Sequence, residues 1–580
     1  MGLELAKYHT SEEAMRQAIL EGCHLCSLLN NYIPAGLGRL GLDQDLASFG
    51  PKLELWEGDE KEMELWQRDE MQLSISTASD ASFNQGKKWI SECFSTHPSC
   101  NYSDMISKIG KPTRLLDVGN AEIRLRCTEE LLPRLGANGL EYLTLSHCWG
   151  NASILKLTQG NMERLRQSID FQDLPLTFQH AVTTTRRLGF QYVWIDSLCI
   201  IQDSASDWEQ ESAMMGDIYR GGSCNISAVA ATDSNAGFFI ARNPLFYIPC
   251  RLGAMEKLSP VAKSQPTPSN TTGRLSTRGW VMQERAMSPR TLHFGPTGLA
   301  WECLSQRMNE KQSLSGIRPK AEFSLLEISS LPPLNLANPD KLTRTFYDAW
   351  VKLLTSYSRC DLTVLGDRLV AFSAIVAEAS RRTGLTPIAG LWKELLPADL
   401  LWYRDASSPP LGSPQSYQAP SWSWGAVASG IQSAYAELLR SGATLEFKTT
   451  VSNPSASAKP NGQVITGHIR LTGPSRRFNW AGGSETEEPR KNCRLDCLQM
   501  NELDDLYLLL VVRGRGASLH LVNDRIEQLV EDKGLVLQPV NGTPGSFRRI
   551  GSFQQSYIGD ISRAVFADNI PCEIRDFLVV

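Results

Sequence analysis

The residues with the clearest chemical potential in this 580-residue chain fall in two strand-like stretches and one cysteine/histidine-rich region. YLTLSHCWG at 142–150 sets Ser146, His147, Cys148 and Trp149 side by side. A nucleophile and its base must lie within hydrogen-bond reach, yet successive side chains of a strand point to opposite faces. Leu143, Leu145 and His147 would share one face, and Thr144, Ser146 and Cys148 the other. A Ser–His dyad is therefore disfavoured, and no Gly-x-Ser-x-Gly elbow supports a hydrolase. A polar pocket is the better use of these groups. The segment ends where a parallel strand meets the carboxyl edge of its sheet, and ligands of open α/β sheets bind in the crevice beyond that edge. FQYVWIDSLCIIQD at 190–203 would deliver Asp196, Cys199, Gln202 and Asp203 to the same edge. The alternative is that His147, Cys148 and Trp149 only finish the core.

Cys23-x-x-Cys26 and Cys93-x-x-x-His97-x-x-Cys100 together offer five potential metal ligands. Zinc takes four, and a Cys-x-x-Cys pair with a His/Cys pair is a standard way to supply them. Structural zinc is one reading; a set of reduced, buried thiols is the other.

The elements that must position these residues are legible from periodicity. From about 116 to 232, strand-like and helix-like runs alternate. After YLTLSHCW comes a helical stripe of Phe178, Ala181, Val182 and Thr185, with Gly189 placed to end it. FQYVWIDSLCII follows, then a helix with Trp208, Ser212, Met215 and Tyr219 on one face, opened by a capping box from Ser206 to Glu209 and stopped at Gly221-Gly222. CNISAVAA is the next strand. This βαβαβ order predicts an α/β core built on a parallel sheet with right-handed crossovers. Further on, STRGWVMQERAMSPRTLHFGPTGLAWEC reads as a short helix, a break at Ser288-Pro289 and two strands joined by a Gly-Pro turn. Residues 240–275 read as loop, 340–405 as mainly helical, and the segments beyond 462 as an antiparallel, β-rich module. The expected division is a Cys/His-containing region at 1–115, the α/β core at 116–310, a helical extension ending in APSWSWG at 311–430, and the β-rich module at 431–580.

Composition narrows the function classes. A net charge of −5 and the absence of a long Lys/Arg tract leave no electrostatic footprint for nucleic acid. The most apolar run, LYLLLVV at 506–512, has the length of a strand rather than a membrane span. The start of the chain lacks the basic-then-apolar pattern of an export signal, so the 14 cysteines are expected to be reduced and the protein cytoplasmic. No Gly-x-x-x-x-Gly-Lys-[Ser/Thr] motif and no internal repeat is present, so a trigger must act through the flanking regions or a separate protein partner.

YLTLSHCWG, YVWIDSLCIIQDSASDWEQESAMMGDIY and RGWVMQERAMSPRTLHF, in this order and spacing, resemble the three blocks of the fungal heterokaryon-incompatibility (HET) domain. Secondary matches are GFF at 237–239, YSRCDLTVLGDRLVAFSAI at 357–375, AGLWKELLPADLLWY at 389–403, and APSWSWG. The resemblance implies non-self recognition between fungal strains and a cell-death response. It also implies a distant likeness to TIR domains, some of which cleave NAD with a helix glutamate that follows a tryptophan, while others act only by assembling with partners. Two glutamates fit that role here. Glu211 lies three residues after Trp208, one residue out of the usual register, with a salt bridge or cap as its plain alternative. Glu284 lies one turn after Trp280, near Arg278 and Gln283; its plain alternative is pairing with Arg278 or Arg285 while Trp280 enters the core. An enzyme or accessory protein of fungal secondary metabolism and a non-catalytic scaffold remain the competing functions, with a small-molecule ligand or self-association as the corresponding interactions.

Overall fold

The structure, a computed structural model, describes residues 75–101, 110–135, 139–150, 154–242, 273–310, 339–407, 417–478, 492–496, 505–522, 525–558 and 572–580, with short pieces at 17–18, 53–57, 250–251, 260–264, 271 and 565–566. At its centre is an eight-stranded mixed sheet. In chain order its strands are β1 (Arg114–Asp117), β2 (Arg124–Cys127), β3 (Tyr142–Ser146), β4 (Tyr192–Trp194), β5 (Cys224–Ser227), β6 (Arg290–Gly295), β7 (Gly298–Cys303) and β8 (Arg307–Asn309). Their spatial order is β8-β7-β6-β5-β3-β4-β1-β2. The four inner strands are parallel: β3 pairs with both β4 and β5, and β5 pairs with β6. The outer strands are antiparallel on both sides. The expected parallel sheet is thus present as the middle of a mixed one. The short β3, β4 and β5 are buried along their whole length, as strands covered on both faces must be.

The helices follow from the patterns that predict them. Helix α1 (Asp80–Thr96) starts at Ser79, whose hydroxyl accepts from the Ser82 amide. Helix α2 (Leu176–Leu188) buries Phe178, Ala181, Val182 and Thr185 and ends at Gly189. Helix α3 (Ala205–Gly221) buries Ser212, Met215 and Tyr219. Its cap differs from the expected box at Ser206: Ser204 is the N-cap, accepting from the Asp207 amide, and Glu209 instead faces Lys459 at 3.6 Å. The helix begins two residues earlier, with Asp207 drawn inward to accept from the Ile201 amide and from Arg114. Helix α4 (Gly279–Met287) ends at Ser288, and β6 and β7 form the hairpin around Pro296.

Right-handed crossovers fix which face each helix covers. Helix α2 leads from β3 to β4, whereas α3 leads back across β3 to β5, so the two lie on opposite faces. Accordingly α2 packs with α1, and α3 packs with α4 and with α6 (Ser373–Thr383), which follows α5 (Pro339–Ser358). The approach of α3 to α6 is close at Gly216, where a Cβ would stand 2.4 Å from the Ala374 Cβ.

Residues 240–275 contain more structure than their Pro/Ser/Thr content predicts. Strands 250–251 and 260–264 join 53–57 in an antiparallel sheet, a pairing between remote segments that local composition does not carry. Toward the C-terminus, strands 444–447, 450–458, 464–478, 506–522, 525–539, 546–558 and 573–579 form a second large sheet, antiparallel except where 546–547 meets 578–579. One continuous apolar cluster runs from Leu115 through Trp350, Trp392, Trp422 and Trp424 to Leu509 and Phe577. Arg549 ties the C-terminal sheet to the 400–402 segment: it donates to the Leu400 carbonyl at 2.6 Å, pairs with Asp496 at 3.0 Å and lies over the Trp402 ring. Among the described residues no helix is long and apolar enough to cross a membrane.

Gly216→Val places branched carbons where Ala374 already sits, so it is expected to destabilise the fold by about 1–3 kcal/mol. Denaturant unfolding checks this; an unchanged midpoint would mean that α3 and α6 are not in close contact.

Candidate functional site

Strand β3 has parallel partners on both sides, so the chain leaves its carboxyl end in one direction and that of β5 in the other. This is the crevice position of an open α/β sheet. Its floor is polar. Asn225 on β5 accepts from the Thr144 hydroxyl and donates to Ser146 Oγ, both at 3.0 Å. From α3, the Tyr219 hydroxyl donates to the Leu145 carbonyl at 3.1 Å. From α4, Glu284 reaches the same place, close enough to Ser146 and Tyr219 that both lower its pKa. Thr144 and Ser146 therefore share a face, as strand alternation requires, and His147 leaves on the other side.

Glu284 is 6% exposed, and its Oε2 has no hydrogen-bond partner among the described residues. Burial pushes its carboxyl up to about 7; Ser146, Arg278 and Tyr219 pull it down, and Asp196 pushes it up. It forms none of the ion pairs its plain reading called for: Arg285 is taken by Glu302 at 2.7 Å, and Arg278 acts on Glu284 only through its field. Trp280 is half-buried rather than in the core, its indole donating to Asp367 at 3.3 Å.

A partly exposed rim surrounds these groups. Arg278 donates to the His147 carbonyl. Trp149 donates to Asp196 Oδ2 at 2.8 Å, its ring stacks with His147, and Lys156 lies over it. Gly150 makes this turn sterically feasible: its φ is +70°, and a Cβ would stand 2.4 Å from Asp233. His147 itself is buried, 3.9 Å from Asp196 and edge-on to Phe178, and burial lowers its pKa to about 4. It is neutral near pH 7.

The remaining sequence candidates occupy other positions. Glu211 is fully buried; its Oε1 takes the Thr113 hydroxyl, and Arg114 and Asp207 are its charged neighbours. Gln202 donates to the carbonyls of Asp196 and Ile200, and Asp203 accepts from the Gln159 amide, so both brace loops. Cys148 packs with Val229, Leu275 and Val281. Burial raises the Cys148 thiol and pushes Cys199 up to about 12. Gln283 accepts from the Ala374 amide at 2.9 Å, tying α4 to α6. Cys93, His97 and Cys100 come together, joined by Cys303; Cys23 and Cys26 lie outside the described residues.

Sequence reasoning passed over Tyr219, Asn225 and Cys303. Asn225 had a signal, a lone amide inside an otherwise apolar strand run. Tyr219 was placed on the buried face of its helix without a role. Cys303 lies some 200 residues from its partners and carried none. The structure also contains a cavity of about 10 Å³, room for one water, between Tyr347, Leu391, Asp399, Trp402 and Trp424. Asp399 there accepts from the Tyr347 hydroxyl and the Trp392 amide, so it braces the aromatic core rather than opening to the crevice.

Among known families, residues 142–284 match the one described as Heterokaryon incompatibility protein (HET). Comparison with curated proteins and with solved structures gave no match. The matched stretch opens on the strand that carries Ser146 and closes on Glu284 itself.

A carboxyl whose pKa rises from 4.5 unfolded to about 7 folded loses stability as pH rises between those values. Glu284→Gln, which mimics the neutral acid, is therefore expected to be more stable than the wild type by up to about 3 kcal/mol at pH 8 and nearly equal to it at pH 4.5. Unfolding curves at both pH values check the sign; a variant less stable than the wild type at pH 8 contradicts it.

Proposed function

Taking residues 142–284 as a heterokaryon-incompatibility domain, we propose that the chain serves a fungal incompatibility response by hydrolysing the ribosyl–nicotinamide bond of NAD. The crevice beyond β3 and β5 is the site and Glu284 its catalytic carboxylate. The observation that carries this reading is a desolvated carboxyl with an unpartnered oxygen at the switch point of a parallel sheet. Supporting it, Glu284 follows Trp280 by one turn on α4, the tryptophan-then-glutamate order that the likeness to TIR-type enzymes implies. Both glutamates are buried with an Oε2 unpartnered among the described residues. Glu284 is preferred on position, because it stands beside Ser146 at the carboxyl end of β3, whereas Glu211 is bonded to Thr113 and lies beside Arg114 and Asp207.

The chemistry suits the residues. As the C1′–N bond breaks, nicotinamide leaves with the bonding pair and the ribosyl carbon becomes cationic. An ionised Glu284 in a low-dielectric pocket stabilises that charge strongly. Water then adds to C1′, and the released proton passes to the carboxylate and out to solvent. Arg278 offers a cation to the diphosphate, and Trp149 a flat face for a ring. Loss of cytoplasmic NAD would execute cell death, and a protein partner or self-association through the flanking segments would trigger it.

Purified protein given NAD should release nicotinamide, with the rate rising through about pH 7 as Glu284 ionises. Glu284→Gln should lower the rate by about 10²-fold or more. Full activity in that variant removes Glu284 from the chemistry, and no release under any condition removes the reaction.

A further inference from the structure

The four side chains Cys93, His97, Cys100 and Cys303 converge without any other function to explain them. Cys93 is in the last turn of α1, His97 caps that helix, and Cys100 closes the 3₁₀ turn of Pro98–Cys100. Two backbone bonds hold the turn: the His97 amide to the Cys93 carbonyl, and the Cys100 amide to the His97 carbonyl. Cys303 comes from the far end of β7, where its amide bonds the Gln306 carbonyl. The geometry points to a structural Zn²⁺ site of the Cys₃His type, which pins the end of α1 to the β6–β7 hairpin.

The distances favour a metal. One ligand atom from each residue lies within 4.8 Å of all the others. A tetrahedral zinc with Zn–S near 2.3 Å and Zn–N near 2.0–2.1 Å sets S···S at about 3.8 Å and S···N at about 3.5 Å. Cys303 Sγ already stands 3.5 Å from His97 Nδ1. The surroundings favour it too. Three thiolates and a neutral imidazole around Zn²⁺ leave one net negative charge, and Arg290 is placed to offset it. Its Nε donates to Cys93 Sγ at 3.2 Å, while its other end is held by the Cys100 carbonyl at 2.8 Å. Ser305 Oγ lies 3.6 Å from Cys100 Sγ. Such outer contacts fix ligand orientation around a metal. Thiolate-rich ligation selects zinc over magnesium or calcium. With all four positions filled by protein, none is open for catalysis. The set is complete without Cys23 and Cys26.

The full chain, purified under reducing conditions, should contain about one zinc per molecule by elemental analysis. Cys303→Ser should lower that content at least five-fold, and the double variant Cys23→Ser/Cys26→Ser should leave it unchanged. Should Cys303→Ser fail to fold, Cys303→His provides the second arm, retaining zinc through a Cys₂His₂ set. Replacement by Co²⁺ should give the visible bands of tetrahedral thiolate ligation in the wild type, with the sulfur-to-metal band weaker in Cys303→His. A metal-free wild type, a disulfide among the three cysteines, or loss of zinc in the Cys23/Cys26 variant would each overturn the site.

Discussion

Parallel pairing of Tyr142–Ser146 with strands on both sides is the constraint from which the rest of the core follows. A strand so placed cannot be left by a tight turn; each connection must cross a face of the sheet, and the right-handed rule sends α2 and α3 to opposite faces. The crevice is what remains between their departures. Its contents are then dictated by register. Ser146 is the last paired residue of β3, opposite Ser227 of β5, so its hydroxyl tops the buried polar floor while Thr144 and Asn225 lie one layer below. Tyr219 enters from α3 and Glu284 from α4 because both helices pack on the same face. Three segments far apart in sequence thereby place a hydroxyl, a phenol and a carboxyl in one desolvated space.

Holding that carboxyl in place takes more of the chain than the matched domain. The Gly279 amide donates to the Asp361 carbonyl, Trp280 reaches Asp367, and Gln283 receives the Ala374 amide. On α3, Arg220 pairs with Glu378. The segment from Tyr357 to Thr383 therefore acts as a clamp on the two helices that supply Tyr219 and Glu284. Arg368, buried within it, binds the carbonyls of Ser358 and Ser429, and the aromatic run Trp422–Trp424 closes over the same core. These residues lie beyond the matched stretch and support the two helices from behind. A buried acid with an unpartnered oxygen is an unfavourable arrangement for stability, and both Glu284 and Glu211 keep one here.

Much of this organisation was legible in the sequence where local rules decide. The stripe of Phe178, Ala181, Val182 and Thr185, the stop at Gly189, the break at Ser288-Pro289 and the strand identity of YLTLS all rest on periodicity or backbone chemistry within a few residues. What escaped depended on distance in the chain. The antiparallel pairing of β1 with β4, which sets Leu116 opposite Val193, joins segments remote in the chain and turns that edge of the parallel sheet into a mixed one. The cap of α3 shifted from Ser206 to Ser204 because Arg114, some 90 residues earlier, holds Asp207. Likewise Cys303 joins Cys93, His97 and Cys100 only after the hairpin folds against α1. Of the two glutamates, the sequence puts Glu211 first and Glu284 second; both are buried with an unpartnered oxygen, and only their neighbours separate Glu211, bonded to Thr113 beside Arg114, from Glu284 beside Ser146 and Tyr219.

The central claim is that the fold holds the Glu284 carboxyl out of water at the mouth of the parallel sheet. The direct measurement is a titration of that group by carbon-13 NMR of glutamate-labelled protein, assigned by the resonance missing in Glu284→Gln. The account predicts a midpoint near about 7. A midpoint near the ordinary 4.5 would place the carboxyl in solvent and contradict it.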